Sequence, residues 1–178
     1  MNRQLKTVAL CALTAAALTT QAQGSAPTDP QIAAIVVTAN QVDIDAGTLA
    51  KSQAHSKQVK DFAQLMVTDH SGVNKSAADL VAKLKVKPED NPTSEGLKKS
   101  GADNVAKLTK LKGAEFDRAY VDNEVTYHQT VLDALDKTLI PNAKNEELKA
   151  LMMKVRPAFV AHLEHAKQLK ASLGKTGG

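Results

Sequence analysis

Apolar residues recur along four stretches of this 178-residue chain at steps alternating between three and four, the period of a helix with one buried face. The first stretch runs from Pro30 to about Ser52 with Ile32, Ile35, Ala39, Val42, Ala46 and Leu49 as its stripe. Asp29 is its expected N-cap and Asp43 lies next to the seam. The second opens at Ser52 or Ser56 and continues to about Lys85, carrying Val59, Ala63, Met66, His70, Val73, Ala77, Leu80 and Leu84. The run Lys87-Pro88-Glu89-Asp90-Asn91-Pro92 then breaks it and forms the longest connection. The third long stretch, Ala114 to Ile140, carries Val121, Val125, His128, Leu132, Leu135 and Leu139 and is stopped by Pro141-Asn142. The fourth, Asn145 to Leu173, carries Leu148, Met152, Val155, Phe159, His162, Ala166, Leu169 and Leu173, with Pro157 expected to kink it. Between the second and third, about Thr93 to Leu111, a lysine-rich helix has only Leu97, Val105, Leu108 and Leu111 as anchors and Gly101 at its middle, leaving it free to dock elsewhere. The pattern predicts an all-α domain over residues 30–173: an antiparallel four-helix bundle with one additional short helix.

Three of these apolar seams are interrupted by a histidine. The helix midpoints fall near residues 41, 70, 127 and 159, so Asp43, His70, His128 and His162 each lie within about three residues of one. At ~1.5 Å per residue that is an axial scatter of about 5 Å, so one ligand-capable side chain per helix converges at mid-height. An unpartnered buried imidazole costs on the order of 1–3 kcal/mol, and three at one level point to a shared ligand, most economically a metal ion. Glu124, one turn before His128, joins the candidate set, and His165, at i+3 from His162, is a lesser candidate. Asp69 points about 100° away from His70 around the helix, which suits an outer acceptor for a ligating histidine. Asp117 and Tyr120 are further outer candidates, the tyrosine either donating its hydroxyl to the site or packing the core. Imidazole and carboxylate donors suit a single Zn, Cu, Fe, Mn or Ni ion without choosing among them. The competing reading is a structural network in which each imidazole hydrogen-bonds Asp43, Asp117 or Glu124 and sets helix register. His55, at a helix junction, reads as a surface residue, and Met66 and Met152 as core fillers.

Composition narrows the setting. Arg3 and Lys6, an apolar run from Val8 to about Leu18 and small residues near Ala22 read as a cleavable secretory signal over residues 1–22, too short for a membrane anchor. Residues 23–29 read as a flexible leader and 174–178 as a flexible tail. The single cysteine, Cys11, falls inside the apolar run, so the mature chain is expected to lack cysteine and to rely on its core alone. Removing Arg3 and Lys6 lowers the formal charge from +4 to +2, and the lysines are dispersed, which argues against a nucleic-acid partner. With no tryptophan and five aromatics beyond histidine, the chain offers no base-stacking or sugar-binding platform. No membrane span remains after signal cleavage, and a monomer or homodimer in a Gram-negative periplasm is expected. No nucleophile motif, phosphate-cradling loop or acid–base pair is legible, and no Cys-x-x-Cys-His for covalent haem.

The run Val59-Lys60-Asp61-Phe62-Ala63-Gln64-Leu65-Met66-Val67-Thr68-Asp69-His70 resembles the signature of a family of bacterial exported proteins. Gly113-Ala114-Glu115-Phe116-Asp117-Arg118-Ala119-Tyr120-Val121 followed by His128, and Pro157 with His162-Leu163, resemble it as well. That family is domain-of-unknown-function family 4142 of the ferritin-like superfamily. The resemblance implies an exported ferritin-like four-helix bundle without a settled activity. The family's Glu-x-Glu-x-Gly-x-x-Ala pattern falls on Asp43-Ile44-Asp45-Ala46-Gly47-Thr48-Leu49-Ala50, with aspartate at both acidic positions. Ferritin-like di-iron sites use Glu-x-x-His on two helices, and this chain has none, so a single ion fits better than a di-iron oxidase. Two functions follow as expectations. One is a periplasmic protein binding a metal ion at mid-bundle; the other is a non-catalytic envelope or stress-related interaction protein whose histidines are structural.

Overall fold

The computed structural model describes residues 26–175, and all regular structure among them is helical. The expected signal, part of the leader and the last tail residues lie outside the described residues. The long helices are α1 (Asp29–Gln53), α2 (Lys57–Lys83), α4 (Gly113–Ala134) and α6 (Glu146–Lys175), with the shorter α3 (Pro92–Leu108) between α2 and α4. After α4 the helix passes through a π-helical turn, Leu135–Leu139, into a single turn, α5 (Ile140–Asn142).

The helix ends follow local chemistry. Asn91 accepts from the N–H groups of Thr93 (3.0 Å) and Ser94 (3.2 Å), and Pro92 fills the first position of α3. Asp29 does not cap α1 as expected: Thr28 is the N-cap, its N–H donating to Gln31 Oε1. The Asp29 carboxylate instead accepts from the N–H groups of Lys144 (2.8 Å) and Asn145 (2.9 Å), tying the start of α1 to the approach to α6. Pro141 does not stop the third long helix either. Lacking an N–H, it cannot bond the carbonyl four residues back, and the wider turn, closed by Ile140 N–H to Leu135 O, carries the helix on to Asn142. α6 likewise runs on through Pro157.

α1 packs on α2, α4 on α6, α2 on α6 and α1 on α4. Ile32, Ile35 and Val36 near the start of α1 share one hydrophobic cluster with Leu132 at the end of α4 and with Leu148 and Met152 at the start of α6. Ala46, Ala50 and Ala54 share a second cluster with Val59 and Phe62 of α2, Phe116 and Tyr120 of α4 and Ala166 of α6. Neighbouring long helices are therefore antiparallel, and α3 carries the chain from one end of the molecule to the other along the outside of α1. It is not left free to dock elsewhere. Gly101 abuts Val42, so close that an added Cβ would stand 2.7 Å from its Cγ2, and Leu108 is buried in the second cluster.

The buried positions of α1 are rotated from the expected stripe. Val36, Asn40, Asp43, Ala46, Gly47 and Ala50 face inward, while Val42 and Leu49 are half-buried. α1 is covered by α2 and α4 on one side and by α3 on another, so its apolar surface is too broad for one stripe to mark the centre. Asp43 consequently sits in the core rather than beside it. Among the described residues, no helix is long and apolar enough to cross a membrane.

Candidate metal centre

Between the two apolar clusters lies a polar layer formed by Asp43 of α1, His70 of α2, Glu124 and His128 of α4 and His162 of α6, each at most 3% exposed. The three imidazole centroids form a nearly regular triangle with sides of 5.3, 5.5 and 5.5 Å. One donor atom from each histidine lies within 4.8 Å of the other two, and the same holds for Asp43, Glu124 and His128. Helical spacing explains the convergence: each histidine replaces a seam residue one helical step from a buried apolar neighbour, Met66 for His70, Leu132 for His128 and Phe159 for His162.

Each ring is held from outside by one nitrogen. His70 Nδ1–H donates to Asn40 Oδ1 (2.8 Å), and Asn40 is oriented by its own amide donating to Val36 O (2.7 Å). His128 Nδ1–H donates to the Glu124 carbonyl (3.1 Å), and His162 Nε2–H to Asp69 Oδ2 (2.9 Å). Because each acceptor lacks a proton to give, each tautomer is set. The second nitrogens, His70 Nε2, His128 Nε2 and His162 Nδ1, make no well-directed hydrogen bond, nor do the carboxylate oxygens of Asp43 and Glu124. His70 Nε2 stands 2.7 Å from Asp43 Oδ2, and His128 Nε2 4.0 Å from the same oxygen. Lone pairs facing a carboxylate in a dry core are costly unless a proton or a cation lies between them.

The electrostatics agree. Burial pushes the Asp43 carboxyl up, but the His70 charge beside it, with its polar contact and the His128 charge, outweighs burial and holds it at about 2. Burial, reinforced by the Asp43 charge, pushes Glu124 well above the usual carboxylate range. Burial lowers His128 to about 4 against the pull of Asp43, and burial also lowers His162 against its bond to Asp69. Burial thus favours the neutral, ligating form of His128 and His162.

The structure places the other candidates as follows. Asp69 acts on His162 rather than on its sequence neighbour His70. Asp117 does not reach the histidines: its two oxygens accept from the N–H groups of His55 (2.8 Å) and Ser56 (2.7 Å) at the start of α2, where a carboxylate suits the helix dipole. Tyr120 packs against Phe62 and Phe116, with ring centroids 6.3 Å away in each case, and its hydroxyl makes no well-directed hydrogen bond. Burial first, then the Glu124 and Asp43 charges, raise that hydroxyl well above its ordinary range. His165 is exposed and lies edge-on to Phe62, outside the layer. His55 is exposed, and Met66 and Met152 are wholly buried core residues. Asn40 escaped the sequence reading, although its spacing from Val36 and Asp43 places a polar residue on the same inward seam.

A family model described as a domain of unknown function, DUF4142, matches residues 14–169. No curated protein and no solved structure matches the chain.

Proposed function

We propose, for a chain that belongs to the DUF4142 family of domains of unknown function, that it is an exported ferritin-like four-helix protein holding one transition-metal ion at mid-height. His70, His128 and His162 would hold the ion with Asp43, and Glu124 stands beside them as a further carboxylate. The observation that carries this reading is the division of labour on the rings. Each has one nitrogen fixed by an outer acceptor and the other without a well-directed hydrogen bond, and one nitrogen of each ring lies within 4.8 Å of one on the other two. Ligating histidines show that division because the outer hydrogen bond fixes the tautomer and orients the lone pair. The ion would supply the positive charge that Asp43 and the three lone pairs lack.

The donor set of imidazole nitrogen and carboxylate oxygen fits Zn, Cu, Fe, Mn or Ni. Non-covalent haem does not fit, since the cavity touching His70 and His128 measures about 10 Å³. The ferritin-like relationship is supported by the single long crossover through α3, which joins α2 to α4. Export and a periplasmic setting rest on the signal-like residues 1–22. A role in metal storage, buffering or sensing follows more directly than catalysis.

The test is elemental analysis of the mature protein purified without chelator, beside a His70→Ala, His128→Ala, His162→Ala variant. About one metal per chain in the parent and none in the variant establishes the site and names the ion. A parent that is metal-free and refuses Zn, Cu, Fe, Mn and Ni on titration leaves a structural histidine network instead.

A further inference from the structure

The three candidate ligand rings differ in what stands between them and water. Asn40, the outer partner of His70, is 2% exposed. The α1–α2 seam that this pair spans is closed by near contact, since a Cβ added at Gly47 would stand 3.0 Å from Val67 Cγ2 and 3.2 Å from Ala63 O. His128 is tied to a carbonyl of its own helix, and the α1–α4 seam beside it is latched by the Tyr127 hydroxyl, which donates to Ala39 O (2.7 Å). Between α4 and α6 the layer is flanked by Leu132, Phe159 and Leu163, all buried and apolar.

His162 is held differently. Its Nε2–H donates to Asp69 Oδ2 (2.9 Å) across the α2–α6 seam, and the Asp69 side chain is 38% exposed where that of His162 is 4% exposed. Of the three outer acceptors, Asp69 is the one that meets solvent and the one that is a carboxylate. At about 100° per residue, Ala158 and His165 lie about 40° and about 60° from His162 on one side of α6. That side faces α2, because His165 lies edge-on to Phe62 of α2 with ring centroids 5.0 Å apart. Both residues are exposed, and one turn before His162 the helix supplies only the methyl group of Ala158 as cover. A hydrogen bond at the surface exchanges for one to water at little net cost, whereas turning His70 out would strand the buried Asn40. His162 is therefore the ring that leaves the layer most readily.

We propose that His162 is the gate of the centre: a hydrated divalent cation is taken up by the Asp69 carboxylate and passes between α2 and α6 into the histidine layer as the His162 ring swings aside and closes behind it. The inference rests on the metal reading above and adds the route by which the ion comes and goes.

The test follows exchange of whichever of Zn, Cu, Fe, Mn or Ni elemental analysis finds in the purified parent, by stopped-flow against a chelating dye. Ala158→Leu places a larger side chain over the seam at an exposed position. It is expected to slow uptake and release alike, each by about fivefold or more, with metal content and Kd unchanged. Asp69→Asn keeps an oxygen to accept from His162 but removes the charge, so uptake should slow by about fivefold and lose its dependence on ionic strength. Asp122→Asn, an equal change of charge at the exposed Asp122–Lys170 pair, should leave uptake at the parent rate. A readout without metal is carbethoxylation of the metal-free protein by diethyl pyrocarbonate, mapped by mass spectrometry. His162 is expected to react about fivefold faster than His70 and His128, and more slowly than the exposed His55 and His165. Metal-loaded protein whose exchange is indifferent to Ala158→Leu, or in which His70 or His128 is labelled before His162, keeps the metal reading and overturns the gate. A parent that takes up no metal removes the metal reading and the gate together.

Discussion

At the residue scale the outer hydrogen bonds decide whether the three histidines can ligate. Asn40→Ala and Asp69→Ala each free one ring to rotate or change tautomer, and outer partners of this kind are worth about 10–100-fold in metal affinity. Competition against a chelating dye should therefore show weakening of that order in either variant with the fold intact by circular dichroism; unchanged affinity would remove the ligating role of the ring concerned. Titration of the metal-free protein gives a second check. His128 is lowered to about 4 from an ordinary 6.5, so the unfolded chain binds the extra proton between those values. Its contribution is present above about pH 6.5 and lost as pH falls through about 4, on the order of 3 kcal/mol at most. Glu124 runs the other way: its carboxyl is raised well above the usual range, so its penalty grows as pH climbs above the ordinary carboxylate value. Glu124→Gln should accordingly stabilise metal-free protein at pH 7 in urea melts and make stability rise more steeply from pH 4 to 6.5. The histidines, Asp43 and Glu124 were legible because polar residues at core spacing near mid-helix stand out against apolar neighbours. Asp117 misled for the same reason, being buried but drawn off by the backbone N–H groups of His55 and Ser56. That partnership depends on where α2 begins in space, which spacing along α4 does not encode.

At the scale of elements, the four long helices were legible to within a few residues because each has a strong buried stripe and a Pro, Gly or Asn near its ends. What spacing alone missed was how α3 is used. Its anchors are few, yet Gly101 admits Val42 of α1 to a distance no side chain would permit, with prospective Cβ contacts of 2.7 and 2.8 Å to the two Val42 methyls. A side chain seated on a glycine is invisible in a periodicity of apolar residues, since the residue that permits it has no side chain. Gly101→Val should lift α3 from α1 and cost about 2–3 kcal/mol in denaturant midpoint, overpacking exceeding the modest gain in helix propensity. The histidine layer belongs to α2, α4 and α6, so metal content in the same variant should stay at the parent value. Loss of metal together with α3 packing would show that the crossover helix positions Asp43 through α1. The π-helical turn at Leu135–Leu139 was missed for a related reason: Pro141 reads as a stop, whereas the wider turn lets the helix continue past it.

At the scale of the whole molecule, the polar layer is a weak plane between two apolar clusters. Two buried carboxylates and three buried imidazoles cost several kcal/mol to desolvate, and without a cation the compensation comes only from protons and the outer hydrogen bonds. A ligand that joins all four long helices at that plane turns the weakest level into a cross-link. Because the unfolded chain does not bring Asp43, His70, His128 and His162 together, nearly all the binding free energy appears as stability. At a free metal concentration of 100 times Kd that is about 2.7 kcal/mol, or roughly 5–10 °C in Tm for a domain of this size. Differential scanning fluorimetry of metal-free protein should show that rise with the cognate ion, its reversal by chelator, and no rise in the triple histidine variant. The shift should shrink as pH falls, since protons compete for His128 and His162 while Asp43 stays ionised down to about 2. A metal-induced rise that survives the triple variant would place the ion on the exposed carboxylates and histidines instead. The polar layer would then be a structural network that sets helix register at the cost of stability.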